Sequence, residues 1–210
     1  MDEVDVDMEN QRHRIRFPGV LLALVLAWPV VALADPEADY QEGFKAYRER
    51  SDIVGAMPPL RRAADAGHVE AQLLLGFILD WSEENEEAVV YYRMAAETGE
   101  PRGQMELARM YLSGEGVDKD PAMAREWVEK AQAQGHHPAT VQVAYAHLNG
   151  AMGYPKDYAQ ARALFQQALD AGHEQARSGL AAVDRAEAAE KAAAERAAAA
   201  EAQQAKPAAQ

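Results

Sequence analysis

Between Tyr111 and Trp127 the chain reads YLSGEGVDKDPAMAREW, which sets Gly114 and Gly116 beside Asp118 and Asp120, just ahead of a helix-like run. Glycines before a helix could cradle a phosphate on backbone N–H groups, and closely spaced aspartates could hold a hard cation. A dinucleotide fingerprint needs a third glycine and a preceding strand, and neither is present. A calcium loop needs more oxygen ligands than Asp118 and Asp120 supply. The hydroxyl nucleophiles are Ser51, Ser82, Ser113 and Ser178, none of them in Ser-x-x-Lys or Gly-x-Ser-x-Gly. There is no cysteine, and His173-Glu174 is not followed by a second histidine four positions on, as a zincin helix would require. The run Glu83, Glu84, Glu86 and Glu87 reads as a solvated acidic face. No catalytic residue, metal site or cofactor is expected, and the chain is predicted not to be an enzyme.

Composition bounds the remaining classes. The 210 residues are 49% hydrophobic, with abundant alanine, which suits an all-α domain. A net charge of -13 argues against nucleic acid and anionic membrane surfaces as partners. Arg12, Arg14 and Arg16 precede the apolar run FPGVLLALVLAWPVVALA, and Ala32-Leu33-Ala34 supplies small residues for a signal peptidase. Residues 1–34 are therefore expected to be a cleaved signal peptide; an uncleaved anchor is the alternative, since Phe17 to Ala34 is just long enough to span a bilayer. Starting at Met1 or at Met8 gives the same mature chain. Removing five acids from 34 and three arginines from 21 leaves 29 against 18, a net of -11. Without a lipobox cysteine or an Asn-x-Ser/Thr acceptor, the expected location is the bacterial periplasm or the exterior, as a monomer with no membrane span after cleavage.

One pattern recurs along the chain. Ala63, Ala95, Ala131 and Ala168 each stand four residues before Gly67, Gly99, Gly135 and Gly172, a repeat of 32 to 37 residues. Ahead of each glycine, stripes such as Ala88, Tyr91, Tyr92 and Ala95 have the i, i+3, i+4, i+7 spacing of an amphipathic helix, here called B. Small residues at Gly76, Ala108 and Ala144 mark a preceding helix A that packs closely. Each terminal glycine fits a left-handed C′ position, Asp120 reads as an N-cap with Pro121 at N1, and Asp157 with Gln160 reads as a capping box. So Gly-Glu-Gly is expected to be the turn from A to B. His68, His136 and His173 follow successive terminal glycines, one two-helix step apart, too far to share an ion; they read as linker residues.

At these positions the sequence resembles the Sel-one-like repeat family, a relative of the tetratricopeptide repeat. The unit LARMYLSGEGVDKDPAMAREWVEKAQAQG carries the resemblance through Leu107, Ala108, Tyr111, Gly114, Gly116, Asp120, Ala124, Trp127, Ala131 and Gly135. The unit from His137 to Gly172 keeps most of it. Those from Ala38 and Ala71 lack the Gly-x-Gly loop, and Pro58 and Pro59 are expected to interrupt the first B helix. The resemblance implies an α/α superhelix of antiparallel helix pairs acting as an adaptor or scaffold. Residues 35–182 are taken as about four repeats with a capping helix, and 183–210 as an Ala/Glu-rich helical or disordered tail.

A tetratricopeptide-like stack presents to its concave side the A-helix residues three before and one after each packing position. Taking Phe44, Gly76, Ala108 and Ala144 as packing positions selects Gln41, Lys45, Leu73, Phe77, Met105, Arg109, Val141 and Tyr145. An exposed apolar strip there would be a groove for a protein or peptide partner. The alternative is that the same side chains fill a tightly wound core or touch the C-terminal helix. The two functional readings are an exported binding module using that groove and a structural spacer of the envelope using the alanine-rich helix.

Overall fold

The computed structural model describes residues 35–204; the leader read at 1–34 and residues 205–210 lie outside them. Among the described residues there are nine helices and no strand: α1 (Pro36–Arg50), α2 (Ile53–Asp65), α3 (Val69–Trp81), α4 (Asn85–Glu97), α5 (Pro101–Ser113), α6 (Pro121–Ala133), α7 (His137–Asn149), α8 (Tyr158–Asp170) and α9 (Ala176–Gln204). They form an α/α solenoid in which each helix packs on the next in sequence and α9 closes the stack against α8 and α7. No described helix is long and apolar enough to cross a membrane.

The recurring alanine and glycine have a common physical cause. Each B helix ends in a left-handed glycine, with φ of +91° at Gly67, +94° at Gly99, +77° at Gly135 and +87° at Gly172. The residue after each glycine then donates its N–H to the alanine carbonyl five positions back: His68 to Ala63 at 3.0 Å, Glu100 to Ala95 at 3.3 Å, His136 to Ala131 at 3.2 Å and His173 to Ala168 at 2.9 Å. This is the six-to-one bond of a Schellman cap, and it satisfies a carbonyl the helix end would otherwise orphan. The four alanines are fully buried. The following A helix crosses there so closely that a methyl group on Gly103 would lie 2.7 Å from the Ala95 side chain.

The starts of α6 and α8 are equally local. The Asp120 carboxylate accepts from the backbone N–H of Ala122 and Met123, both at 3.0 Å, with Pro121 at N1. Asp157 accepts from Gln160 N–H at 2.9 Å, the N-cap half of the expected box. The Gly-Glu-Gly segment is a turn, as expected: Gly114 caps α5 at φ +82°, and Gly116 lies so near the Asn85 carbonyl of α4 that a Cβ would stand 2.2 Å from it. The loop thus seats on the preceding repeat, and only glycine fits.

Two local expectations are corrected. Pro58 and Pro59 do not interrupt α2, which runs through them. Proline in a helix interior costs about 3 kcal/mol, but Ala56, Pro59, Leu60, Ala63 and Ala64 are all buried along this helix, and that burial outweighs the loss. The packing position of α1 is Gly43 rather than Phe44: a Cβ on Gly43 would be 2.6 Å from Leu60 Cγ, whereas Phe44 is 37% exposed.

Candidate protein-interaction surface

The packing positions form a row down the A helices. Gly43, Gly76, Ala108 and Ala144 are buried, and Gly76 leaves room for the Tyr92 ring, which a Cβ would meet at 2.8 Å. Counted from Gly43, the residues three before and one after are Tyr40 and Phe44, whose rings lie 5.6 Å apart. Gln41 and Lys45 are exposed and engaged along their own helix, Gln41 donating to Glu37 at 2.7 Å and Lys45 standing 4.0 Å from Glu49.

The later members of the row differ among themselves. Phe77 is 49% exposed and, with Tyr47, Ile53, Ile78 and Trp81, lines a cavity of about 150 Å³. Leu73 is half-buried on α3. Met105 and Arg109 line a second hollow of about 200 Å³ with Glu106, Ala108, Leu112, Val128 and Gln142. The Arg109 guanidinium pairs with Asp80 of the preceding repeat, with Glu106 at 3.0 Å and with Glu115 at 3.2 Å. Burial opposes its charge, but the hydrogen bond it donates to Glu106 and the field of Asp80 prevail and hold its pKa above the ordinary value. Val141 and Tyr145 are half-buried against the core, and the Tyr145 ring meets Phe165 edge-on at 4.8 Å.

Sequence reasoning did not select Trp81, which is 70% exposed and one helical turn beyond Phe77 on α3. The signal was the i, i+4 spacing on one face. It also passed over buried glutamines. Gln72 donates to the Ala64 carbonyl at 3.0 Å, and Gln104, 32 residues on, donates to Ala96 at 3.3 Å and accepts from Gln134 at 2.9 Å. Their recurrence five residues after Gly67 and Gly99 was visible; that they bridge a B helix to the next A helix was not.

The histidines act as links between elements. His68 caps α3, its Nδ1 accepting from Ala71 N–H at 3.2 Å while Nε2 lies 2.9 Å from Glu37 and the ring stacks on Tyr40 at 4.5 Å. Among the described residues, no three histidine, aspartate or glutamate side chains gather as metal ligands would. His136 is half-buried at the start of α7, facing Glu100, His137, Arg102 and His173; burial lowers its pKa below the ordinary 6.5. The folded state then binds fewer protons than the unfolded one, so stability is full above pH 6.5 and declines as pH falls through that value. Glu129, hydrogen-bonded by Tyr154 and then by Arg125, and Glu87, paired with Arg61, lie below the ordinary 4.5, so their contributions hold above that pH and are lost on further acidification. The urea midpoint should therefore fall in two stages from pH 7 to pH 3. His136→Gln should abolish the first stage and keep the second; an unchanged first stage would show that another group titrates there.

Comparison with known proteins places this geometry. The family described as Sel1 repeat matches residues 69–99, 101–136 and 137–173, leaving the α1–α2 pair outside the match. In the crystal structure of a Sel1 repeat protein from Oxalobacter formigenes, 70% of this chain superposes on 61% of that one with a TM-score of 0.62 at 25% identity. The rat protein named DAP3-binding cell death enhancer 1 is 34% identical over 86 residues, 40% of this chain and 17% of its own length. An exopolysaccharide production negative regulator of Rhizobium leguminosarum bv. viciae is 38% identical over 47 residues, 22% of this chain and 18% of its own. Chitin synthase regulatory factor 4 of Schizosaccharomyces pombe is 28% identical over 148 residues, 68% of this chain and 23% of its own. The chain thus spans less than a quarter of these curated relatives. With three matched repeats, a solenoid of helix pairs and the glycine-capped B helices in place, the chain belongs to the Sel1 repeat family.

Proposed function

We propose that this protein is an exported, non-catalytic adaptor that holds a protein or peptide partner on its A-helix row. Sel1 repeats are a protein-interaction fold, and the observation that carries the reading is the apolar hollow at Phe77 and Trp81, open on a surface a monomer has little reason to keep. The names of the relatives agree with action through partners, since two are regulators and one is named for binding DAP3. Export rests on the leader: the mature protein should begin at Asp35, and an intact leader in the membrane fraction by mass spectrometry would refute it. On immobilised protein, Phe77→Glu should abolish retention of an envelope partner with an unchanged melting temperature, because an exposed side chain contributes to binding rather than folding. Retention by the variant would refute the groove. Tyr145→Glu is a poorer probe, since Tyr145 packs on Phe165.

A spacer role is favoured by one observation. The contacts of α9 with α8 and the loop before it reach Glu190, through Arg162 to Asp184 at 2.6 Å and to Glu187 at 2.7 Å and, from the loop, Lys156 to Glu190 at 2.5 Å, and the helix then continues to Gln204. At 1.5 Å per residue that extension reaches about 20 Å. A chain truncated after Glu190 should keep its partner if the groove binds it; loss of retention would favour the spacer.

A further inference from the structure

Among the described residues the exposed large hydrophobic side chains are Phe44, Val54, Phe77, Trp81 and Val90, all of them in the first four helices. Tyr47 and Ile53 join two hollows into one furrow: with Phe77, Ile78 and Trp81 they line the apolar cavity, and with Arg48 and Ser51 they line its neighbour. The cavity's volume, about 150 Å³, matches one medium-sized aliphatic or aromatic side chain more closely than a folded surface.

Charge decides what could occupy it. Two residues beyond Trp81 begins a wide acidic hollow lined by Glu83, Glu84, Asn85, Glu86, Glu87 and Gly116. Glu87 is paired with Arg61 and Asp80 with Arg109. Glu83, Glu84 and Glu86 make no ion pair among the described residues, and Glu84, the N-cap of α4, makes no side-chain capping bond. Glu83 and Glu84 follow the exposed Trp81 within three residues at the α3–α4 connection, and unpaired carboxylates and an exposed indole each attract a cation, by Coulomb forces and by the ring face. A second copy of this chain would bring another strongly acidic surface to the same place, and an anionic lipid surface would be repelled likewise.

We infer that the α1–α4 end of the solenoid is a docking site for a peptide segment in which an apolar anchor is followed by lysine or arginine. The anchor fills the hollow among Tyr47, Ile53, Phe77 and Trp81, and the cation lies over Trp81 within reach of Glu83 and Glu84. Arg48, which lines the neighbouring hollow with Tyr47 and Ile53, disfavours a cation there and so sets the direction of the peptide. The inference rests on the adaptor reading and names the chemistry of its partner.

The test is calorimetric titration of the full chain with three short blocked peptides, Leu-Leu-Lys-Lys, Leu-Leu-Glu-Glu and Ser-Ser-Lys-Lys. The first should bind, more weakly as salt rises, and the other two should not. Trp81→Ala, and separately Glu83→Gln with Glu84→Gln, should each weaken it by about tenfold or more with unchanged melting, since all three side chains are exposed. Equal binding of Leu-Leu-Glu-Glu would show that the hollow accepts any apolar anchor, and equal binding of Ser-Ser-Lys-Lys that charge alone acts; either overturns the inference. So does undiminished binding by Trp81→Ala. If no peptide binds while the wild-type chain but not Phe77→Glu retains an envelope partner, the adaptor reading stands and the inferred chemistry falls. Loss of both refutes the two together.

Discussion

Trp127→Ala should lower the stability of the solenoid by about 3 to 5 kcal/mol, and the melting temperature by on the order of 10 °C, because the indole leaves a cavity that the stacked repeats cannot close. Trp127 is 9% exposed and stands on α6 among the buried residues Ala124, Val128 and Ala131. Lys130 lies 3.7 Å over its ring, but that ammonium is exposed and contributes at most about 1 kcal/mol. The indole Nε1–H is buried without a hydrogen-bond partner. Trp127→Phe should therefore cost much less than Trp127→Ala, since it keeps most of the ring and removes an unsatisfied donor. Thermal unfolding followed by circular dichroism distinguishes the two. An unchanged melting temperature in the alanine variant would mean that the B-helix face of this repeat does not hold the stack.

Trp127 was identifiable as buried from the sequence alone, and the reason applies to most of the fold. The B-helix stripe, the alanine whose carbonyl takes the Schellman bond and the glycine that permits the left-handed turn lie within a single helical turn or two, so their spacing states their geometry. The same holds for Asp120 and Asp157 as N-caps. What depends on contact between distant residues was less legible. Gly43 and Phe44 are adjacent on α1, about 100° apart around the helix, and only the approach of Leu60, 17 residues on, selects Gly43. Pro58 and Pro59 look like breakers until the burial along α2 is known. Arg109 reads as a free cation in sequence, yet Asp80, 29 residues earlier, binds it. The hollow at Phe77 needed Tyr47 and Ile53 from the first helix pair, which the family pattern does not reach.

Phe165→Ala should have an effect of similar size at the other end of the stack, and it should act on α9. Phe165 is fully buried, with Tyr145 against its edge and Gly179 of α9 beneath it, where a Cβ would lie 2.2 Å from the ring. The ring thus fills a socket that glycine alone leaves open, and its loss should cost about 3 to 5 kcal/mol. Ala176 and Val183 of α9 are also fully buried, Tyr158 of α8 donates to Glu190 at 2.6 Å, and Arg162 of α8 and Lys156 just before it form ion pairs with α9; such partly exposed pairs contribute about 0 to 1 kcal/mol. Arg162→Ala should therefore change stability little, whereas Phe165→Ala should loosen α9 and expose Arg177 and Arg185 to trypsin. Gly179→Ala separates the two opposing effects at this site. Alanine raises helix propensity by about 1 kcal/mol, yet its methyl group must displace a ring that is held on every side, so the variant should be less stable than the parent. A more stable Gly179→Ala protein, or trypsin resistance retained by Phe165→Ala, would show that α9 is seated by its surface charges instead.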